Sequence, residues 1–182
     1  MVKRFFIVVA AVLCTLAAQA QASGSVGSTG QGSVPSFWKN MVIEFNVGAG
    51  TGHDGMSPME IGGNLGYKFI PRLYAFMHGG CLYGMYDKEH GQVYTKSATL
   101  AGGLGYTLFR VDNMDVDLRA SAGGSVGNAD WKHTVYDAGL AFRIGGTGRL
   151  KVNVGVGYRH VSSRTAGIGT YNGFYGTIGV GF

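Results

Sequence analysis

The chain has 182 residues, 46% of them hydrophobic and only 14% charged, with 33 Gly against 3 Pro and a formal net charge of +5. So little charge is unusual for a water-soluble domain, where about a quarter of residues are charged. Gly without a G-x-y period, beside 12% aromatic residues, excludes collagen and argues against a disordered chain.

No stretch after residue 22 approaches the roughly 20 apolar residues of a membrane helix, so a closed barrel is the remaining way for this chain to cross a bilayer. Residues 1–22 read as a cleaved export signal. Lys3 and Arg4 supply the positive start, residues 5–16 the apolar run, and Ala18, Ala20 and Ala22 the small residues for cleavage. Cys14 follows Leu13 rather than a small residue, which argues against lipidation. Without the signal the balance is 15 − 2 = 13 Lys+Arg against 10 Asp+Glu, or +3. These charges are scattered rather than set in a stripe, so no nucleic-acid partner is expected. Cys81 is then the only cysteine, which rules out an internal disulfide and a zinc cluster. His53, His78, His90, His133 and His160 lack ligand spacing, so neither a metal nor another cofactor is expected.

Residues 23–37 form a Gly/Ser-rich leader expected to be flexible. From Trp38 onward a period of two sets in. Met41, Ile43, Phe45, Val47 and Ala49 share one face of the first strand, opposite Val42, Glu44, Asn46 and Gly48. After a loop at 51–58, Met59, Ile61, Leu65, Tyr67 and Phe69 oppose Glu60, Gly62, Asn64, Gly66 and Lys68. The strand at 73–85 has an ambiguous phase, because Tyr74, Phe76 and Leu82 compete with Leu73, Ala75 and Met77. A charged loop is expected at 86–93.

The fourth strand sets Ala98, Leu100, Leu104, Tyr106 and Leu108 against Ser97, Thr99, Gly103, Gly105 and Thr107. The fifth sets Met114, Val116, Leu118, Ala120 and Ala122 against Asp115, Asp117, Arg119, Ser121 and Gly123. A loop at 128–132 precedes Tyr136, Ala138, Leu140, Phe142 and Ile144, which alternate with Asp137, Gly139, Ala141, Arg143 and Gly145. Leu150, Val152, Val154, Val156 and Tyr158 then oppose Lys151, Asn153, Gly155, Gly157 and Arg159, and a loop at 161–170 leads to the last strand, 171–182.

About eight strands of roughly ten residues, joined by alternately short and longer connections, predict an all-β fold: an eight-stranded antiparallel up-and-down transmembrane β-barrel over residues 38–182. Aromatic residues near the strand ends, Tyr67, Phe69, Tyr106, Phe142 and Phe182 at one rim and Tyr94, Tyr136, Tyr158 and Phe174 at the other, suit two interfacial girdles. Trp131, Tyr86 and Tyr171 read as further interface anchors.

The narrow, Gly-rich polar face belongs inside, where an eight-stranded barrel is filled by side chains. Lumenal ion pairs are therefore expected among Glu44, Asp115, Asp117, Arg119, Asp137, Arg143, Lys151 and Arg159, with Asp115 and Asp117 near Arg143 and Lys151, and Asp137 near Arg159.

On the signal, the alternation and the closing Ile178-Gly179-Val180-Gly181-Phe182, the chain resembles small eight-stranded barrels of the OmpA transmembrane-domain and OmpX kind. That resemblance implies a Gram-negative outer membrane, with its lipid and lipopolysaccharide as surroundings. It also implies a C-terminal signal for the barrel-assembly machinery carried by Phe182, Val180, Ile178 and Phe174. The implied role is structural or one of interaction through the loops 51–58, 86–93, 128–132 and 161–170, without catalysis and with an external partner that the sequence does not name.

Two alternatives are a narrow, porin-like pore and a hydrolase. Arg159-His160-Val161-Ser162 is similar to the His-x-Ser motif of lipid A 3-O-deacylases, and the phase of Tyr158 turns His160 and Ser162 outward. A serine nucleophile there requires an acid to orient the histidine. Where that family has its Glu, this chain reads Gly173-Phe174-Tyr175-Gly176.

Overall fold

The computed structural model of the chain describes residues 40–53, 55–88, 91–145 and 150–182, with backbone alone for 86–88 and 91–94. The expected signal, 1–22, and leader, 23–37, lie outside the described residues. Eight strands follow one another: β1 (Met41–Gly50), β2 (Met56–Ile70), β3 (Leu73–Lys88), β4 (Gly91–Val111), β5 (Met114–Val126), β6 (His133–Ile144), β7 (Lys151–Ser163) and β8 (Tyr171–Gly181). Each pairs with the next, and β8 pairs back onto β1 to close the barrel. Closure gives each strand two neighbours within the ring, so the barrel needs no partner sheet to complete it.

The period of two sorts side chains to opposite surfaces. Phe45 is 60% exposed and Phe174 69%, while Glu44 and Asp117, each on an inward position, are 1% and 0% exposed. Apolar outside and charged inside is the polarity of a barrel set in lipid, the reverse of a soluble one. Val116 departs from it: an outward position by alternation, it is nonetheless buried between its register partners Phe109 and Phe142. A register shift between Thr107 and Phe109 turns both Leu108 and Phe109 outward beside it.

The ambiguity of β3 is resolved by its neighbours. Tyr74, Phe76, His78 and Leu82 point inward, and Met77, Cys81 and Tyr83 outward. Room for the inward rings comes from glycine: a Cβ on Gly105 would overlap the ring of Tyr74.

Three expected loops are shorter than read from composition. β3 runs through Lys88 and β4 begins at Gly91, joined in register by Tyr86↔Val93, Asp87↔Gln92 and Lys88↔Gly91, so most of 86–93 is a hairpin. Met56 to Pro58 already belong to β2, and Val161 to Ser163 still belong to β7. Polar residues mark contact with water, and a hairpin standing clear of the apolar belt is as wet as a loop. The strict alternation of connection lengths also breaks: 145–150 is long at the end where 71–72 and 112–113 are short. We call this the turn end, and the opposite one, with 51–55, 89–90, 127–132 and 164–170, the loop end. At the turn 112–113, Asp112 takes φ 45°, a left-handed conformation to which Asp is comparatively suited.

Inside the loop end, Met56, Leu82, Trp131, Val135, Val161 and Tyr171 pack into one apolar plug, with Ile168 against it. Trp131 and Tyr171 are thus wholly buried rather than serving as interface anchors. The chain turns at 127–132 so that the indole folds back into the barrel mouth, where its Nε1 donates to Ser163 Oγ (3.2 Å). The side chain of Tyr86 lies outside the described residues. Burying a Leu, Val or Met side chain contributes about 1.5–3 kcal/mol each, so the plug holds together the end that carries the connections 127–132 and 164–170.

Candidate functional site: the charged lumen

Below the plug the inward positions carry charge, and the strand registers decide which charges meet. Asp115 on β5 is the register partner of Arg143 on β6, and inside the lumen Arg143 reaches Asp117 and Lys151 on β7 reaches Asp115. Lys151 Nζ donates to Asp115 Oδ2 (2.8 Å), whose other oxygen accepts from Arg110 Nε. Arg143 Nη2 lies 2.7 Å from Asp117 Oδ2 as an ion pair out of line for a hydrogen bond, and its Nε has no acceptor. Asp117 instead accepts from Thr107 Oγ1 and from Tyr74 Oη, each at 2.8 Å.

Across the lumen Arg119 forks onto Glu44, with Nη1 and Nη2 both 2.6 Å from the carboxylate oxygens, while its Nε donates to Tyr74 Oη (2.6 Å). The planar fork matches a carboxylate at two points, which makes this one of the stronger contacts available to a side chain. Arg159, on β7, donates from Nε to Asp137 Oδ1 (2.7 Å) and reaches Glu60 Oε2 at 2.6 Å, its guanidinium lying 4.6 Å from the centre of the Tyr175 ring.

Asn64 and His78 join the two halves. Asn64 Nδ2 donates to Glu44 Oε2 (2.9 Å), which turns its Oδ1 toward His78 Nδ1 (2.8 Å); His78 Nε2 lies 2.7 Å from Glu60 Oε1. The result is one unbroken column of polar contacts from Arg110 and Lys151 near the turn end to Asp137 and Arg159 under the plug. Beside it remains a cavity of about 80 Å³, room for a few waters.

Each sequence-derived lumenal residue thus has a place: Asp115 and Asp117 stand with Arg143 and Lys151, and Asp137 with Arg159. Glu44 and Arg119 meet across the barrel, which spacing along the chain does not signal. Tyr74 and His78 escaped sequence reasoning because the phase of β3 was open. His133, too, is buried, bonded to Thr99 Oγ1 (3.3 Å), with its ring tilted against that of Trp131 at 4.8 Å between centres. Of the C-terminal residues, Phe174, Ile178 and Phe182 face outward and exposed, with Val180 half-buried on the same face.

His160 and Ser162 are half-buried on the outer surface of β7 near the loop end. His160 Nδ1 contacts Asn172 Oδ1, its register partner on β8, and its ring lies 6.1 Å from that of Tyr136. The nearest carboxylate in sequence register, Asp137, points the other way and is held by Arg159. Among the described residues no group of three His, Cys, Asp or Glu is placed to hold a metal ion.

No family model matches the chain, and no curated protein matches it. Among solved structures it is similar to the N-terminal β-barrel domain of Pseudomonas aeruginosa OprF, at 13% identity over 78% of this chain and 96% of that one, with a TM-score of 0.44. It is similar as well to the outer membrane enzyme PagL (16%, 76% and 96%, TM-score 0.47) and to a de novo designed transmembrane β-barrel (15%, 79% and 93%, TM-score 0.43). The fold rests on the closed strand order itself.

Proposed function

We propose that the protein is an integral outer-membrane barrel with a closed lumen, acting through its structure or through its loop end rather than by catalysis or conduction. The observation that carries this reading is the pairing of an exposed apolar belt with a lumen blocked twice, by the plug and by the ion-pair column. The belt requires lipid, and the blocked lumen supports a non-conducting barrel. For interaction the loop end offers the β3–β4 hairpin. β4 pairs with β5 only from Ala98 onward, so among the described residues the backbone of 91–97 has no partner strand on that side. A free strand edge is a ready docking line for another extended segment.

The test is recording in planar bilayers of protein whose folding is verified by heat-modifiable gel mobility. No steps of current and a heat-dependent shift are expected; sustained single-channel currents would overturn the closed lumen.

A second reading, an outward-facing lipid hydrolase resembling the lipid A deacylases, draws support from the His160–Asn172 contact, with Ser162 on the same face. The amide can orient the imidazole but supplies no charge to stabilise it during proton transfer. Release of acyl chains from lipopolysaccharide by the folded barrel, abolished in Ser162→Ala, would establish this reading over the first.

A further inference from the structure

The charges of the lumen do not balance at the turn end. Among the described residues, the lumenal carboxylate side chains in this half are Glu44, Asp115 and Asp117. They face Lys68, Arg110, Arg119, Arg143 and Lys151, five cations against three anions. The three are already engaged: Glu44 by Arg119 and Asn64, Asp115 by Arg110 and Lys151, Asp117 by Arg143, Tyr74 and Thr107.

Lys68 makes no ion pair or side-chain hydrogen bond with any described residue, although its neighbours on β2 place it inside. Beside it Asn153 is 3% exposed, and neither its Nδ2 nor its Oδ1 has a partner. Lys68, Arg143, Lys151 and Asn153 line a recess of about 180 Å³ at this end, with Glu44, already held by Arg119 and Asn64, on its wall. Phe182 also borders it and makes no ion pair with these cations among the described residues. Charges and amides drawn out of water demand partners.

We propose that this recess binds an oxyanion of the phosphate class, held by Lys68, Arg143 and Lys151, with Asn153 Nδ2 as a neutral donor. A tetrahedral oxyanion offers acceptors in several directions and negative charge to all three cations at once. Lysine serves as a point charge and Arg143 contributes its unused Nε, which a single halide could not satisfy together with the amide. The oxyanion comes from free phosphate or from the phosphate of a lipid headgroup. The proposal rests on the closed barrel and its charge placement, not on whether the lumen conducts.

The experiment is calorimetric titration of inorganic phosphate, at constant chloride, into the full chain folded in a nonionic, phosphate-free detergent. Saturable binding of one phosphate per barrel is expected. Lys68→Met should weaken it at least tenfold while keeping the heat-modifiable mobility of a folded barrel, since it removes a cation with no ion pair among the described residues. Asn153→Leu should weaken it several-fold, and Lys132→Met, at the loop end, should leave it unchanged. Micelles doped with phosphatidylglycerol, against micelles doped with an uncharged diacylglycerol, separate the sources. A headgroup ligand lowers the apparent phosphate affinity in the first and not in the second, and loses that effect in Lys68→Met. A free-phosphate ligand gives equal affinity in both. Absence of saturable binding, or equal binding by wild type and Lys68→Met, would overturn the proposal.

Discussion

At the loop end the lumen is filled by Met56, Leu82, Trp131, Val135, Val161 and Tyr171, whereas from Glu60 down to Asp115 it is filled by paired charges on inward strand positions. The plug is held by area and shape, which are non-directional and tolerate small rearrangements. The column is held by geometry, where each charge is stable only while its partner stays in place. One barrel interior therefore contains a segment that should yield gradually to substitution and a segment that should fail when a single group is lost.

The sharpest way to break the comparison is in the column. Arg119→Met leaves Glu44 buried without its fork and should cost about 3–5 kcal/mol, read from urea unfolding in lipid vesicles. Arg119→Met combined with Glu44→Leu should recover most of that loss, because two apolar groups replace two charges. If the double variant is no more stable than the single one, the column is not governed by pairing.

In the plug, Trp131→Ala should cost about 3–4 kcal/mol, toward the lower part of the range for large-to-small changes, in the same unfolding measurement. Because the column remains, it should open no conductance; currents in this variant would show that the plug alone seals the lumen. Gly105→Ala, which drives a methyl group into the ring of Tyr74, should cost about 1–3 kcal/mol. Its signature is a shifted Tyr74 environment in near-ultraviolet circular dichroism. Ser163→Ala removes the acceptor of the Trp131 indole and should cost about 1 kcal/mol, with the Trp131 fluorescence maximum reporting the lost bond.

The same contrast explains what could be read from the chain. Strand number, direction and face follow from alternation wherever one face is apolar and the other is Gly or charged, as from Met114 to Gly123. A two-residue turn at 112–113 pins the register of β4 on β5, which is why neighbours along the sheet could be paired on paper. Glu44 and Arg119 are 75 residues apart and meet only because the ring closes, and no local pattern carries that. In β3 both faces present large apolar groups, since Tyr74, Phe76 and Leu82 fill the interior. Residue type there does not separate inside from outside, and His78 stayed unassigned with it. Trp131 was hidden for a different reason: it sits in a connection, where periodicity has nothing to say, and its burial depends on how that connection folds back.

The pairing of β8 with β1 has a temporal side. Glu44↔Gly181 and Gly50↔Tyr175 join residues at opposite ends of the described chain, so the ring is completed only when its last strand meets its first. Long loop closure makes such contacts slow to form. A chain stalled before that step would carry the open edges of β1 and β7 side by side, both able to capture another molecule's strand. The last strand is therefore the step on which both the speed of assembly and its fidelity depend.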